Sequence, residues 1–210
     1  MNVFGFILLL KPLLLTSQPS PDLTTHVYEC DDGTRVVANI ESSSEESELT
    51  LFLPEETLRL SRMTSGSGEK FSDGTVTFWT KGNEATLERK GTATRCEENR
   101  AASIFEDAKL RGVDFRGVGN EPGWSLEIGP DEIVFHTSYG EDTYRFTTPT
   151  PETSDSEPRS FYRVAEDGHE LIVELVGRAC ADDMSGEAFE TTVLVTFDGT
   201  ERRGCGRPLH

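Results

Sequence analysis

Between residues 27 and 96 this chain is built of short alternating runs of apolar and polar residues, each cut off by turn formers. Runs at 34–40, 49–53, 56–60, 75–79 and 85–89 mostly keep a period of two, the pattern of a strand with one buried face. Between them stand Asp31-Asp32-Gly33, the serine–glycine stretch 65–68, Ser72-Asp73-Gly74 and Lys81-Gly82-Asn83, all turn signals. A chain that extends for only a few residues before turning closes into an antiparallel barrel or sandwich. No stretch before residue 97 has a helical period.

Residues 97–110 depart from this. They carry Ala, Glu, Lys and Leu without Gly or Pro and predict a short helix. Strand patterns resume at 124–128, 132–136, 143–146, 161–164, 170–175 and 191–197, while 147–158, with three Pro among Ser, Thr and acids, reads as a mobile loop. The expectation is an all-β protein of two small antiparallel barrel or sandwich domains, 24–98 and 112–210. A short helical connector at 99–111 joins them, and no internal repeat relates them.

Lys and Arg number 20 against 38 Asp and Glu, a formal charge of −18. That excludes most nucleic-acid binders, which need a basic footprint on phosphates. It suits a cationic partner, because a field of one sign speeds encounter with the other, and it equally suits solubility alone.

The four cysteines, at 30, 96, 180 and 205, lack the Cys-x-x-Cys spacing of zinc or redox motifs and fit an oxidising compartment. Three pairings are open, and proximity within each module favours Cys30–Cys96 and Cys180–Cys205. Residues 3–15 are apolar except for Lys11 and Pro12, long enough for a signal-peptide core and too short and interrupted for a spanning helix. A basic leading region and a clean small-x-small cleavage site are both missing. The first cysteine comes at position 30, well after the apolar run. The reading is a periplasmic or secreted protein with a signal-like segment at 1–23, no lipid anchor and no transmembrane span in the mature chain.

Residues 65–96 carry the most specific signal. Ser67-Gly68, with Lys70 and Phe71 after them, and Trp79, Lys81 and Gly82, followed by Ala85 and Leu87, form two motifs 14 positions apart from Ser67 to Lys81. The stretch resembles the bacterial inhibitors of C-type lysozyme, membrane-bound and periplasmic. There a Ser-Gly-x-x-Tyr loop and an aromatic-x-Lys-Gly loop enter the enzyme's active site. Phe71 stands where that family usually has Tyr, and Cys30 and Cys96 stand where it has its bridging pair. The resemblance covers about 70 residues and implies a stoichiometric inhibitor of a basic C-type lysozyme, without catalytic activity or cofactor. On this reading a flexible serine loop and the Lys81 turn are bridged by one strand, and Ser67, Gly68, Lys70, Phe71, Trp79, Lys81 and Gly82 form the binding set.

Other readings weigh less. A Ser–Lys nucleophile pair needs a buried lysine of depressed pKa, and Lys81 precedes Gly82-Asn83 in a solvated turn. Ser67 also lacks the strand-to-helix elbow of Gly-x-Ser-x-Gly hydrolases. In the second half, Gly119 to Trp124, Cys180 to Gly186 and Gly204 to Leu209 resemble an uncharacterised bacterial envelope domain, which implies no activity. Asp182, Asp183 and Glu187 lack a calcium-loop spacing, and His26, His136, His169 and His210 lack zinc spacing, so no metal is expected. Trp124 reads as a core anchor. The rival functions are a cell-envelope interaction module with another partner and an enzyme built on the second domain.

Overall fold

The computed structural model describes residues 22–42, 47–154 and 156–210. The signal-like segment expected at 1–23 lies almost wholly outside them. Eight strands form a closed antiparallel barrel in sequence order. They are β1 (Asp22–Cys30), β2 (Arg35–Ser42), β3 (Ser47–Phe52), β4 (Thr57–Met63), β5 (Glu69–Ser72), β6 (Val76–Lys81), β7 (Glu84–Arg89) and β8 (Thr92–Glu98). The alternation predicted from sequence is the inside–outside alternation of this barrel. Val36, Ala38, Leu49, Leu51, Leu60, Phe71, Phe78 and Leu87 all point inward at 5% exposure or less. Burial of each large side chain among these contributes about 1.5–3 kcal/mol. Tyr28 meets Phe78 edge-on at 5.4 Å.

Closure rests on a short seam. β1 and β8 pair only at Tyr28↔Glu98, Glu29↔Glu97 and Cys30↔Cys96, and a disulfide joins the last pair. The first half of β1 runs on past the end of β8, and the helix α1 (Arg100–Leu110) packs along it. The Asn99 amide donates to the Val27 carbonyl at 2.8 Å, and the Val27 amide donates to the Ser103 hydroxyl at 2.8 Å. That hydroxyl donates in turn to the Asn99 carbonyl at 2.9 Å. A serine thus satisfies a strand amide that has no strand neighbour. Asn99 also caps the helix, its side chain accepting from the Ala102 amide at 3.0 Å.

Beyond the helix lies a nine-stranded antiparallel sheet of β9 (Phe115–Gly119), β10 (Trp124–Ile128), β11 (Glu132–Thr137), β12 (Asp142–Thr147), β13 (Glu152–Thr153), β14 (Arg159–Glu166), β15 (His169–Val176), β18 (Thr191–Phe197) and β19 (Thr200–Pro208). Their order is β12-β11-β10-β9-β19-β18-β15-β14-β13. A small hairpin of β16 (Cys180–Ala181) and β17 (Ala188–Phe189) is stapled to β19 by the Cys180–Cys205 disulfide. The fold is therefore all-β in two units with a helical connector. Among the described residues no helix is long and apolar enough to cross a membrane.

The sequence pattern missed β9 and β19, which are rich in glycine and arginine. Three of their glycines leave room for aromatic rings. A Cβ on Gly119 or Gly204 would lie 2.3 and 2.6 Å from the Trp124 indole, and one on Gly206 would lie 2.6 Å from Phe115. Trp124 is accordingly a core anchor, 4% exposed. The expected loop 147–158 contains the edge strand β13, paired with β14.

The helix is also more than a spacer. Phe105 lies beneath the Arg207 guanidinium at 4.7 Å and that of Arg116 at 5.6 Å, and beside Phe189 at 5.7 Å. Arg111 donates to both oxygens of Glu127 at 3.0 Å, and Arg116 pairs with the same buried carboxylate. Two guanidiniums share one carboxylate, so its removal from water is compensated by charge-assisted bonds.

Candidate functional site

Hairpin connections alternate between the two ends of an up-and-down barrel. The β4–β5 connection, the β6–β7 turn and the passage from β8 into α1 therefore lie at one mouth. Ser67 belongs to the first of these connections and Gly82 to the second, with Lys81 as the last residue of β6 just before it.

The single strand expected between Ser67 and Lys81 is two strands in the structure. Ser67 and Lys81 are not bridged by one strand: residues between them form the whole β5–β6 hairpin, whose register pairs Glu69 with Thr80. A single strand would have put the two motifs at opposite ends of the barrel; a hairpin returns them side by side. Gly68 makes the approach possible. Its φ is +66°, and a Cβ there would lie 2.0 Å from the Thr80 carbonyl oxygen and 3.3 Å from the Lys81 Cα. Any other residue would push the loops apart. Gly82, at φ +65°, is the first of two residues in the β6–β7 turn, where a positive φ matches the twist of the strands.

The serine loop is pinned rather than free. The Trp79 indole N–H donates to the Ser67 carbonyl at 2.8 Å, and the Ser65 hydroxyl donates to the same oxygen at 2.7 Å. The backbone of Ser67 is thus held from two sides while its side chain faces solvent. Trp79 is 40% exposed and stands on the outer barrel face beside Lys70, its cross-strand partner, with Met63 next in the same row. Register alone reveals Met63, 48% exposed; nothing in its local sequence marks it.

Phe71 is placed differently from the rest of the predicted set. It is 0% exposed and pairs with Phe78 inside the barrel. A side chain there cannot touch a partner, and Phe71 packs as part of the core. The structure gathers Ser67, Gly68, Lys81 and Gly82 at the mouth, puts Lys70 and Trp79 on the adjoining outer face, and leaves Phe71 in the core.

Charge at the mouth is arranged around Lys81. Its cross-strand partner Glu84 pairs with Arg95, Glu69 pairs with Arg62 at 3.1 Å, and Glu98 takes His26 at 2.7 Å. Among the described residues Lys81 has no ion-pair partner. The turn that carries it is fixed from below, because the Glu98 amide donates to the Asn83 carbonyl at 2.8 Å. The Tyr28 hydroxyl has its pKa pushed up to about 12, first by burial and then by the nearby carboxylates of Glu98 and Glu69.

The three second-unit motifs also meet. Asn120 donates to Asp182 at 2.8 Å, and the other oxygen of Asp182 accepts from the Ser185 amide at 2.7 Å and the Ser185 hydroxyl at 2.8 Å. These bonds, the Ser185 amide foremost, hold the Asp182 carboxyl below the usual range. The aspartate is a loop cap. Among the described residues no group of three or more His, Cys, Asp or Glu side chains is placed to hold a metal.

The Trp79–Ser67 bond gives a test of the site's construction. Trp79→Phe keeps a ring and removes the donor, and should cost about 1 kcal/mol of loop order, or roughly fivefold in partner affinity. Titration against the partner reads the affinity and a thermal melt should stay nearly unchanged. A shifted melt with unaltered affinity would mean the bond serves the barrel and not the loop.

A family model described as membrane-bound lysozyme-inhibitor of c-type lysozyme matches residues 28–95, which lie within the barrel. A protein of Yersinia enterocolitica named "Membrane-bound lysozyme inhibitor of C-type lysozyme" is 35% identical over 104 residues, 49% of this chain and 86% of that relative. The solved structure of Pseudomonas aeruginosa MliC in complex with hen egg white lysozyme is similar at 27% identity and a TM-score of 0.36, over 45% of this chain and 100% of the other. On the extent of the relative that it covers, this chain belongs to the family of membrane-bound inhibitors of C-type lysozyme.

Proposed function

We propose that this protein is a cell-envelope inhibitor of C-type lysozyme that occludes the enzyme's cleft with the Ser67 and Lys81 loops. One observation carries the reading beyond family membership: the β5–β6 hairpin sets Ser67 beside a Lys81 that has no ion-pair partner among the described residues. Lysozyme works with two carboxyl groups about 5 Å apart in a deep cleft. An exposed ammonium on a rigid two-residue turn can enter between them, and a hydroxyl held alongside can donate to the second. Both are charge-assisted bonds made where water is excluded, and so stronger than at a free surface. Inhibition by occlusion requires no group of this chain to react. Export into the envelope follows from the same reading, as do the two disulfides.

The test is a cell-wall lysis assay with hen egg white lysozyme, titrated with the purified full chain. Inhibition saturating at one to one is expected. Undiminished lysis at excess protein would overturn the reading in favour of an envelope module with another partner. Run across salt concentrations, the same system reads the acidic field. With a formal charge of −18 against a basic enzyme, association should slow steeply up to physiological ionic strength, where charges beyond about 8 Å are screened. Dissociation should change far less. An association rate indifferent to salt would assign the acidity to solubility alone.

A further inference from the structure

The mouth that carries Ser67 and Lys81 is also where the helix and the second unit attach. The Glu98 amide bonds the Asn83 carbonyl of the Lys81 turn, and one residue later Asn99 begins α1. Glu98, whose amide holds that turn, also lines a cleft of about 720 Å³. Its barrel wall is Leu23, Thr24 and the His26–Glu98 pair, its floor is α1 through Arg100 and Ile104, and its far wall is β10 and β11 through Ser125 and His136. Leu23 and Ile104, 52% and 51% exposed, are the large apolar side chains of this cleft that remain open to solvent. Arg100 reaches out beside them, 81% exposed and 3.7 Å from Glu98. An apolar pair ringed by charge, continuous with two loops that project from the same mouth, has the make-up of an interface core inside a polar rim.

We propose that this cleft is an accessory docking surface for the same lysozyme whose active site the loops enter, so that helix and second unit form a second wall of the interface. The inference rests on the loop-insertion reading. An enzyme seated on Ser67 and Lys81 covers the barrel mouth, and a protein of that size extends beyond the barrel onto whatever adjoins the mouth. Here that is Leu23 and Ile104. The second unit then has a part in binding: Phe105, Arg111 and Arg116 lock it to α1 and fix the orientation of the second wall. Loops that fill a cleft supply the charge recognition, and the apolar pair slows escape by excluding water from the rim.

The experiment measures association and dissociation of the full chain with hen egg white lysozyme for wild type, Leu23→Glu, Ile104→Glu, Ile104→Ala and Lys81→Ala. Each carboxylate variant should dissociate roughly tenfold faster or more, because it buries an unpaired charge in the apolar centre of the second wall. Ile104→Ala should dissociate a few-fold faster through lost area alone. Thermal melts should stay near wild type, since both side chains are half exposed, and Ile104→Ala carries the test if a carboxylate variant does not fold. Wild-type dissociation in all three cleft variants overturns the proposal, and Lys81→Ala then reports separately on the loops. Faster dissociation in the cleft variants with Lys81→Ala unaffected keeps the cleft as a contact and removes the loop-insertion reading. Sedimentation closes the remaining route. Self-association lost in both carboxylate variants, with lysozyme binding unchanged, would assign the cleft to a second copy of this chain and overturn the proposal.

Discussion

Lys81→Ala should weaken lysozyme inhibition by roughly 30- to 5000-fold, the equivalent of about 2–5 kcal/mol for truncating one partner of a desolvated charge pair. The magnitude follows from what remains behind. On the proposed loop insertion, removing the ammonium leaves the enzyme's carboxylates covered, without water or countercharge. Lys81 can be spared for this role because its neighbours are otherwise engaged: Glu84 is held by Arg95 and Glu69 by Arg62. Ser67→Ala removes a neutral donor to a charged acceptor and should cost less, about 1.5–3 kcal/mol. Neither change should move the melting temperature, since both side chains project from connections and support no core contact. Lys109→Ala, on the exposed side of α1, is the control and should leave inhibition intact. Unchanged inhibition in Lys81→Ala would sink loop insertion even if lysozyme still bound by another surface.

The barrel was legible because its chemistry is local. Each run that alternated in sequence alternates in space, and turn formers mark most of the connections. The turns beside the motifs are legible for the same reason, since Gly68 lies in one connection and Gly82 opens the other. What failed was inference about what lies between them. Residues 69–72 are too few and too polar to read as a strand, so the sequence pattern merges β5 with the loop and leaves one strand where the structure has a hairpin. The count of 14 positions fits either arrangement, and only the Glu69↔Thr80 register tells them apart.

Phe71 shows a different limit. Its motif position says nothing of which face of β5 it occupies, and alternation from Glu69 turns it inward while Lys70 turns out. In the second unit β9 and β19 were hidden because their periodicity lies in glycines that receive the Trp124 and Phe115 rings. Such a pattern belongs to two strands jointly and cannot be read along one. Ser103 is a further case: a serine inside a helix gives no hint that it completes the hydrogen bonding of a strand 76 residues away.

Replacing Cys30 and Cys96 together by Ala should destabilise the barrel by about 4 kcal/mol on the chain-entropy account, given a separation of 66 residues. The Cys180–Cys205 pair, 25 residues apart, should be worth slightly less, about 3.5 kcal/mol. What separates the two is their place in the fold. Cys30–Cys96 closes the seam where β1 meets β8 through only three residue pairs. Neighbouring strands elsewhere in the barrel have longer ladders, apart from β4 and β5. The seam also carries Glu98, whose amide holds the Asn83 carbonyl and with it the Lys81 turn. Loosening it should therefore reach the Lys81 turn before the barrel unfolds. The expected result is a melting transition lowered by roughly 8–16 °C, with weaker inhibition even at temperatures where the variant is folded. The Cys180/Cys205 variant should lose comparable stability and keep the loops' share of the affinity, because its bridge ties β16 to β19 far from the Ser67 and Lys81 connections. Denaturant melts paired with lysozyme titration of both variants decide the matter. Equal inhibition by both folded variants would show that the Lys81 turn holds its geometry without the seam.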